Sequence, residues 1–454
     1  MLKPNLKGRR WPGLRPGASG LAALATVATA LAIPGTASAA TVVNAKSSCS
    51  PSATKITFWA WVPGISRAVT AFNASHPSIC VTLSDVGAGV PEYVKLAQAA
   101  KAGHGEPDVA EVEYDELPSF EITHSVVNLV PYGANKVKND FVPWVWKEVS
   151  QGSGVYAVPG DTGPMATYYN SKLFAKFHIT PPSTWAQFAT DAAALHKADP
   201  SVYMTNFAAE DLQWMLSLMS QYGAWPFTYT GGSSLGINFT GPKQMAFANY
   251  WQKLLAAHEV NSTTDVSTTS SHNLNQGIDA LWLSAAWGPS YLAPNVTKLS
   301  LGAWRAAPLP QWSAGQDIAA NWGGSAYPVF SQSQHPKQAA IFALWLNDTM
   351  ASWNITKTAP SLLFPSYKPL LQSPSFLNLT VPISGNSHPY VVFSHSAAKA
   401  PYVNWPPIMT EAGNDATTAF AGVLNGKESL PAAFKSFQQT LVNYAKSEGF
   451  HVTT

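Results

Sequence analysis

From Lys55 to Val112 the chain alternates short apolar runs with runs of helical spacing, and that alternation restricts it to few folds. Lys55 to Trp61 reads as a buried strand, ended by Val62-Pro63-Gly64. Ile65 to Ser75 is helical, Cys80 to Ser84 is a second strand, and Pro91 to Ala102 is a second helix stopped by Gly103. Pro107 to Val112 is a third strand. The order β-α-β-α-β predicts a parallel sheet with right-handed crossovers. Ligands of such sheets sit at the carboxyl ends of the strands. A chain of 454 residues exceeds one ordinary core, so two lobes are expected.

Further along, Trp185 to His196, Leu212 to Tyr222, Pro242 to His258 and Lys337 to Leu346 carry helical spacing. So do Met409 to Leu424 and Leu430 to Lys446. Ala280 to Leu283 and Gly323 to Phe330 read as strands. Residues 231–236 form a turn-rich loop, and residues 261–276, rich in Ser, Thr and Asn, form a surface loop.

The N-terminus is a separate matter. A basic segment ends near Arg15, an apolar run spans Leu21 to Ile33, and Ala37-Ser38-Ala39 offers small residues for cleavage. Residues 1–39 read as a signal peptide, which makes the protein exported: extracellular, cell-surface or periplasmic. Five of the 27 Lys and Arg lie in this leader, which has no acid. Without it the chain has 22 basic against 25 acidic residues, about −3. The basic balance therefore belongs to the leader and argues for no nucleic-acid partner. Cys49 precedes the first strand and Cys80 opens the second, so an oxidising compartment favours a disulfide between them. The alternative makes Cys49 a lipid-anchor site. Two isolated cysteines are no metal pattern, and no metal site is expected.

A family resemblance runs through these fragments. Gly-Val-Tyr-Ala-Val-Pro at 154–159, Tyr-Tyr-Asn-Ser-Lys-Leu-Phe at 168–174 and Pro-Pro-Ser-Thr-Trp at 181–185 resemble the hinge-crossing region of family 1 extracellular solute-binding proteins. Pro107-Asp108-Val109, the run from Ala280 to Trp287, Asn321-Trp322-Gly323-Gly324 and the helix from Pro336 to Leu346 are similar to other parts of that family. The resemblance implies an α/β fold of the periplasmic-binding-protein type. Each lobe would be a mainly parallel sheet flanked by helices, with a hinge between lobes. One lobe would take residues 40–160 and 318–360, the other 161–317 and 361–454, with crossings near 157–165, 311–322 and 360. It implies a monomeric carbohydrate receptor that serves the membrane permease of an ABC importer, needs no cofactor and is not an enzyme.

Sugars need flat aromatic platforms for ring faces and carboxylates for hydroxyls. Trp61 at the end of the first strand, Trp287 after a later strand, and Trp322 beside Gly323 are the candidate platforms, with Trp405 in a loop as a further one. Glu111, Glu113 and Asp115 alternate onto one face. Glu113 and Asp115 are candidate hydroxyl acceptors, while Glu111 and Glu116 are read as a solvated edge. Asp161 sits in the crossing loop, and Asp211 and Trp214 follow a strand-like run. The rival functions are a secreted glycoside hydrolase, with two such acids as catalysts, and a cell-wall adhesin. Gly232 to Gly236 has the letters of a nucleophile elbow, but turn residues surround it where a strand and a helix are required.

Overall fold

The structure, a computed structural model, describes residues 49–292, 296–357 and 363–454. The expected leader, 1–39, lies outside them. The strands are numbered along the chain. The first part carries β1 (Thr54–Trp59), β2 (Ile79–Ser84), β3 (Val109–Ala110), β4 (Val112–Glu113), β5 (Ser150–Gln151), β6 (Gly154–Val155) and β7 (Ala157–Pro159). The second carries β8 (Met165–Asn170), β9 (Phe227–Tyr229), β10 (Ser234–Ile237), β11 (Leu281–Ala285) and β12 (Trp304–Ala307). β13 (Ser325–Pro328) and β14 (His451–Thr453) follow.

The first sheet follows the expected βαβ logic. β1 lies between β2 and β3 and is parallel to both, with Thr54 opposite Ile79 and Phe58 opposite Val109. The helix Ile65–Ser75 connects β1 to β2 and buries Ala68, Val69 and Phe72. Phe58, Phe72 and Phe342 meet edge-to-face with centroids 5.0 Å apart, which locks the later helix Pro336–Asn347 onto this sheet. The third strand breaks at Glu111. Val109–Ala110 pair with β1, whereas Val112–Glu113 pair with β13, which runs antiparallel between β4 and β7.

The second sheet has β8 at its centre, with β11 and β12 antiparallel on either side. Here the expectation of mainly parallel pairing does not describe the named strands. Parallel pairing in this part of the molecule is limited to the bridges Thr184–Gln311, Tyr203–Asp279 and Asn206–Asn261 and to β10 with β14. The reason is direction. β8 carries the chain away from the first sheet, and β11 and β12 bring it back. Around this sheet pack Trp185, Phe207, Trp214 and Trp251, all fully buried and in mutual ring contact. A smaller sheet places β10 between antiparallel β9 and parallel β14.

One sequence expectation changes and two hold. Residues 268–276 form a helix, Thr268–Gln276, where a surface loop was expected. Ser267 and Ser270 make a reciprocal capping box, and Ser271, Asn273 and Asn275 are buried. The polar side chains serve a cap and buried amide contacts rather than solvent. The Ser234 of the elbow-like motif opens strand β10 and is exposed. No strand–turn–helix surrounds it, so that motif is not an elbow. Cys49 and Cys80 are disulfide-bonded with Cα atoms 5.6 Å apart, which leaves Cys49 no free thiol for an anchor.

Candidate functional site

Three chain segments run side by side between the two sheets. Met165 donates to Ala320 O and Trp322 to Gly163 O, at 2.9 and 2.7 Å. Thr162 donates to Phe364 O and Ser366 to Gly160 O, at 2.8 and 2.9 Å. The packing is tight enough to demand glycine. A Cβ on Gly163 would stand 1.7 Å from Trp322 O, and one on Gly324 would stand 2.8 Å from Thr162 Cα. Gly324 also has φ 107°, in the left-handed region.

Beside these segments lies a cavity of about 430 Å³. Trp61, two residues past the end of β1, reaches it, as expected for the carboxyl end of a parallel sheet. Its ring stands edge-to-face to Tyr93 at 6.1 Å. Tyr93 in turn donates its hydroxyl to Glu113 Oε2 at 2.9 Å and accepts from the Glu113 N–H at 3.1 Å. Glu113 therefore arrives in the cavity oriented by a buried phenol. Burial is the main cause that raises its carboxyl well above the usual range, and the charge of Asp115 adds to it.

From the crossing loop comes Asp161, about nine-tenths buried. Its Oδ1 accepts the Ser325 N–H at 3.1 Å, and burial pushes its carboxyl up to about 7. From the second sheet's side comes Asp211, the N-cap of the helix Leu212–Tyr222, whose Oδ1 accepts the Trp214 N–H at 2.9 Å. Burial pushes it up to about 6. Trp287 follows β11 and is half-buried; its ring lies 4.5 Å from that of Trp322, and its Nε1 donates to Trp322 O at 3.3 Å. Trp282 stands edge-on to both. Trp322 itself is only 3% exposed, so it backs Trp287 more than it offers a face of its own. Gly323, with φ 75°, brings bare backbone to the cavity wall.

Seven of the ten ligand-binding candidates thus converge: Trp61, Glu113, Asp161, Asp211, Trp287, Trp322 and Gly323. Three do not line this cavity. Trp214 is fully buried, with Nε1 bonded to Leu283 O at 2.9 Å, and belongs to the core. Trp405 packs edge-on to Trp225 at 4.8 Å and lines a separate depression with Glu148 and Tyr402. Asp115 lies behind the cavity wall and accepts from Gln213, which does line it.

Glu111 corrects the reading in the other direction. Expected on a solvated edge, it is fully buried and lines the cavity. Its Oε2 accepts from the Trp61 and Val62 N–H groups at 3.1 and 3.3 Å, and its Oε1 is 3.2 Å from Ser325 Oγ. Burial, then the charge of Asp161, pushes it up to about 8. Glu116, also expected on that edge, is buried and accepts from Thr410 Oγ1 at 2.6 Å. The break in the third strand turns Glu111 inward, which alternation alone does not reveal.

Among the described residues no group of three or more His, Cys, Asp or Glu is placed to hold a metal ion. No described helix is long and apolar enough to cross a membrane.

Comparison with known proteins agrees with this architecture. An arabinooligosaccharide-binding protein of Halalkalibacterium halodurans is 24% identical over 305 residues, which cover 64% of this chain and 66% of that protein, just under two thirds of its length. The ABC transporter associated binding protein of B. animalis subsp. lactis, solved with β-1,6-galactobiose, is 27% identical, with a TM-score of 0.75 over 88% of this chain and 100% of that one. The galacto-N-biose/lacto-N-biose I-binding protein of Bifidobacterium longum shares the fold at 23% identity, with a TM-score of 0.76 over 89% of this chain and 100% of that one. The family model for bacterial extracellular solute-binding proteins matches residues 61–351, which include every residue placed in the cavity up to Ser325. The chain belongs to the bacterial extracellular solute-binding protein family.

Proposed function

We propose that this protein is an exported receptor that binds a saccharide and delivers it to the membrane permease of an ABC importer. The observation that carries this reading is the cavity itself. Half-buried indole faces, Trp61 and Trp287, stand opposite carboxylates that still have acceptor capacity, Glu113, Asp161 and Asp211. Aromatic faces suit the C–H side of a sugar ring and carboxylates suit its hydroxyls. The relatives that bind arabinooligosaccharide and β-1,6-galactobiose support the same class of ligand.

In this reading residues 40–160 and 318–360 make one lobe, and 161–317 with 361–454 make the other. The three adjacent segments near 160–165, 320–325 and 364–366 are the hinge, and the lobes close on the ligand by population shift. The receptor works as a monomer without a cofactor, contacts no nucleic acid and leaves its ligand unaltered. Thermal denaturation against mono- and oligosaccharides tests it. A ligand at 100 times its dissociation constant adds about 2.7 kcal/mol of stability. Release of new reducing ends, lost on Asp161→Asn, replaces the receptor by a hydrolase.

A further inference from the structure

The charge lining the cavity is all of one sign. Glu111, Glu113, Asp161 and Asp211 all line it, and no Lys, Arg or His does among the described residues. What holds these acids is a set of neutral donors: the backbone N–H groups of Trp61, Val62, Ser325 and Trp214 and the hydroxyls of Tyr93 and Ser325. Glu111 has both oxygens taken by such partners. The other three keep acceptor capacity toward the cavity. Asp161 is the sharpest case. It is about nine-tenths buried, its Oδ1 is bonded to Ser325, and no described donor reaches its Oδ2.

A neutral ligand hydroxyl satisfies such an oxygen as a donor but leaves its charge where it was. Closing these three acids over a neutral ligand leaves each one either charged without a counter-ion in a small, aromatic-walled space or neutralised by a bound proton, and both are costly. An ammonium group supplies three N–H donors and the missing positive charge together. The faces of Trp61 and Trp287 attract a cation as well as a C–H surface. Burial pushes Asp161 up to about 7 and Asp211 up to about 6, and an ammonium placed among them would favour their ionised forms again.

We infer that the preferred ligand is a saccharide carrying a protonated amine, an amino sugar or an oligosaccharide that contains one, with the ammonium held among Asp161, Glu113 and Asp211. This rests on the carbohydrate reading above and narrows it.

Isothermal titration of the purified protein at pH 7 tests the inference with three matched series of β-linked disaccharides. These are the neutral glucose and galactose disaccharides, their 2-amino-2-deoxy forms, and the N-acetylated forms of those amines. In at least one series the free amine should bind about tenfold or more tightly than both its acetylated and its neutral counterpart. Asp161→Asn should cut that preference to about threefold or less. Glu113→Gln, which leaves the Asp161–Ser325 contact untouched, provides the same readout if Asp161→Asn fails to fold. Neutral or acetylated sugars that bind as tightly as the amine in every series overturn the inference and leave the carbohydrate reading standing. A preference for the amine that survives both substitutions also overturns the assigned site. Failure of every probe to bind overturns both readings.

Discussion

Trp214 and Trp287, 73 residues apart, show what position does to one side chain. Trp214 lies in the first turn of the helix Leu212–Tyr222, and Trp287 follows β11. Trp214 is sealed in the core with its N–H bonded to Leu283 O, whereas Trp287 lies half-buried at the cavity. Trp214→Ala should therefore cost about 3–5 kcal/mol of folding stability. Trp287→Ala should cost distinctly less stability and should weaken saccharide binding about tenfold or more, since a stacking face contributes roughly 1–3 kcal/mol. Melting temperatures without ligand, followed by titration, separate the two. An equal loss of apo stability with unchanged affinity per folded molecule would assign Trp287 to packing.

At the scale of elements, the crossing segments are set by backbone proximity more than by side chains. Gly163 accepts from Trp322 and donates to Asn321 Oδ1 at 2.8 Å, and its missing Cβ is where Trp322 O sits. Gly163→Ala should abolish soluble expression or shift the melting temperature down severely, because neither backbone can yield without breaking the pairing. Gly413 is the control. It lies within the helix Met409–Ala419 with open space where a Cβ would go, so Gly413→Ala should raise stability by about 0.5–1 kcal/mol. Similar melting curves for the two variants would remove the steric account. The loop-like polar run that became the helix Thr268–Gln276 belongs to this scale too. A capping box and buried amide contacts outweigh its weak helix propensity.

For the whole molecule, buried acids set the response to pH. Glu92 is fully buried, its oxygens have no described partner, and burial, then the charge of Glu111, pushes it to about 9. Glu111 is pushed to about 8. Unfolded, each titrates near its ordinary value of 4.5. Between those limits the folded state holds more protons than the unfolded one, so stability falls as pH rises. The unliganded protein should melt higher at pH 5 than at pH 8, and Glu92→Gln should flatten that difference. A higher melting temperature at pH 8 would contradict the assignment. The disulfide acts on the unfolded chain instead. Cys49–Cys80 closes a loop with a sequence separation of 31, worth roughly 3–4 kcal/mol in the chain-entropy model. Urea titration with and without a reductant measures it, and coincident curves would show that the bond contributes nothing.

The helices Ile65–Ser75 and Leu212–Tyr222, the order of the first strands and the pairing of the two cysteines were legible in the sequence. Each depends on local periodicity, on punctuation by Gly and Pro, or on simple arithmetic of two residues. The convergence of Trp61, Asp161 and Trp287, residues 226 apart at the extremes, was legible only through the likeness to a family. Tertiary structure alone decided the rest. It turned Glu111 from a solvated edge into the cavity wall by breaking a strand between two partners. It withdrew Trp214 into the core and sent Trp405 to another face. Period and composition report which side of a local element a residue takes. They are silent on what that side meets, because the partner comes from a distant part of the chain and its arrival sets the burial, the charge and the use of the residue.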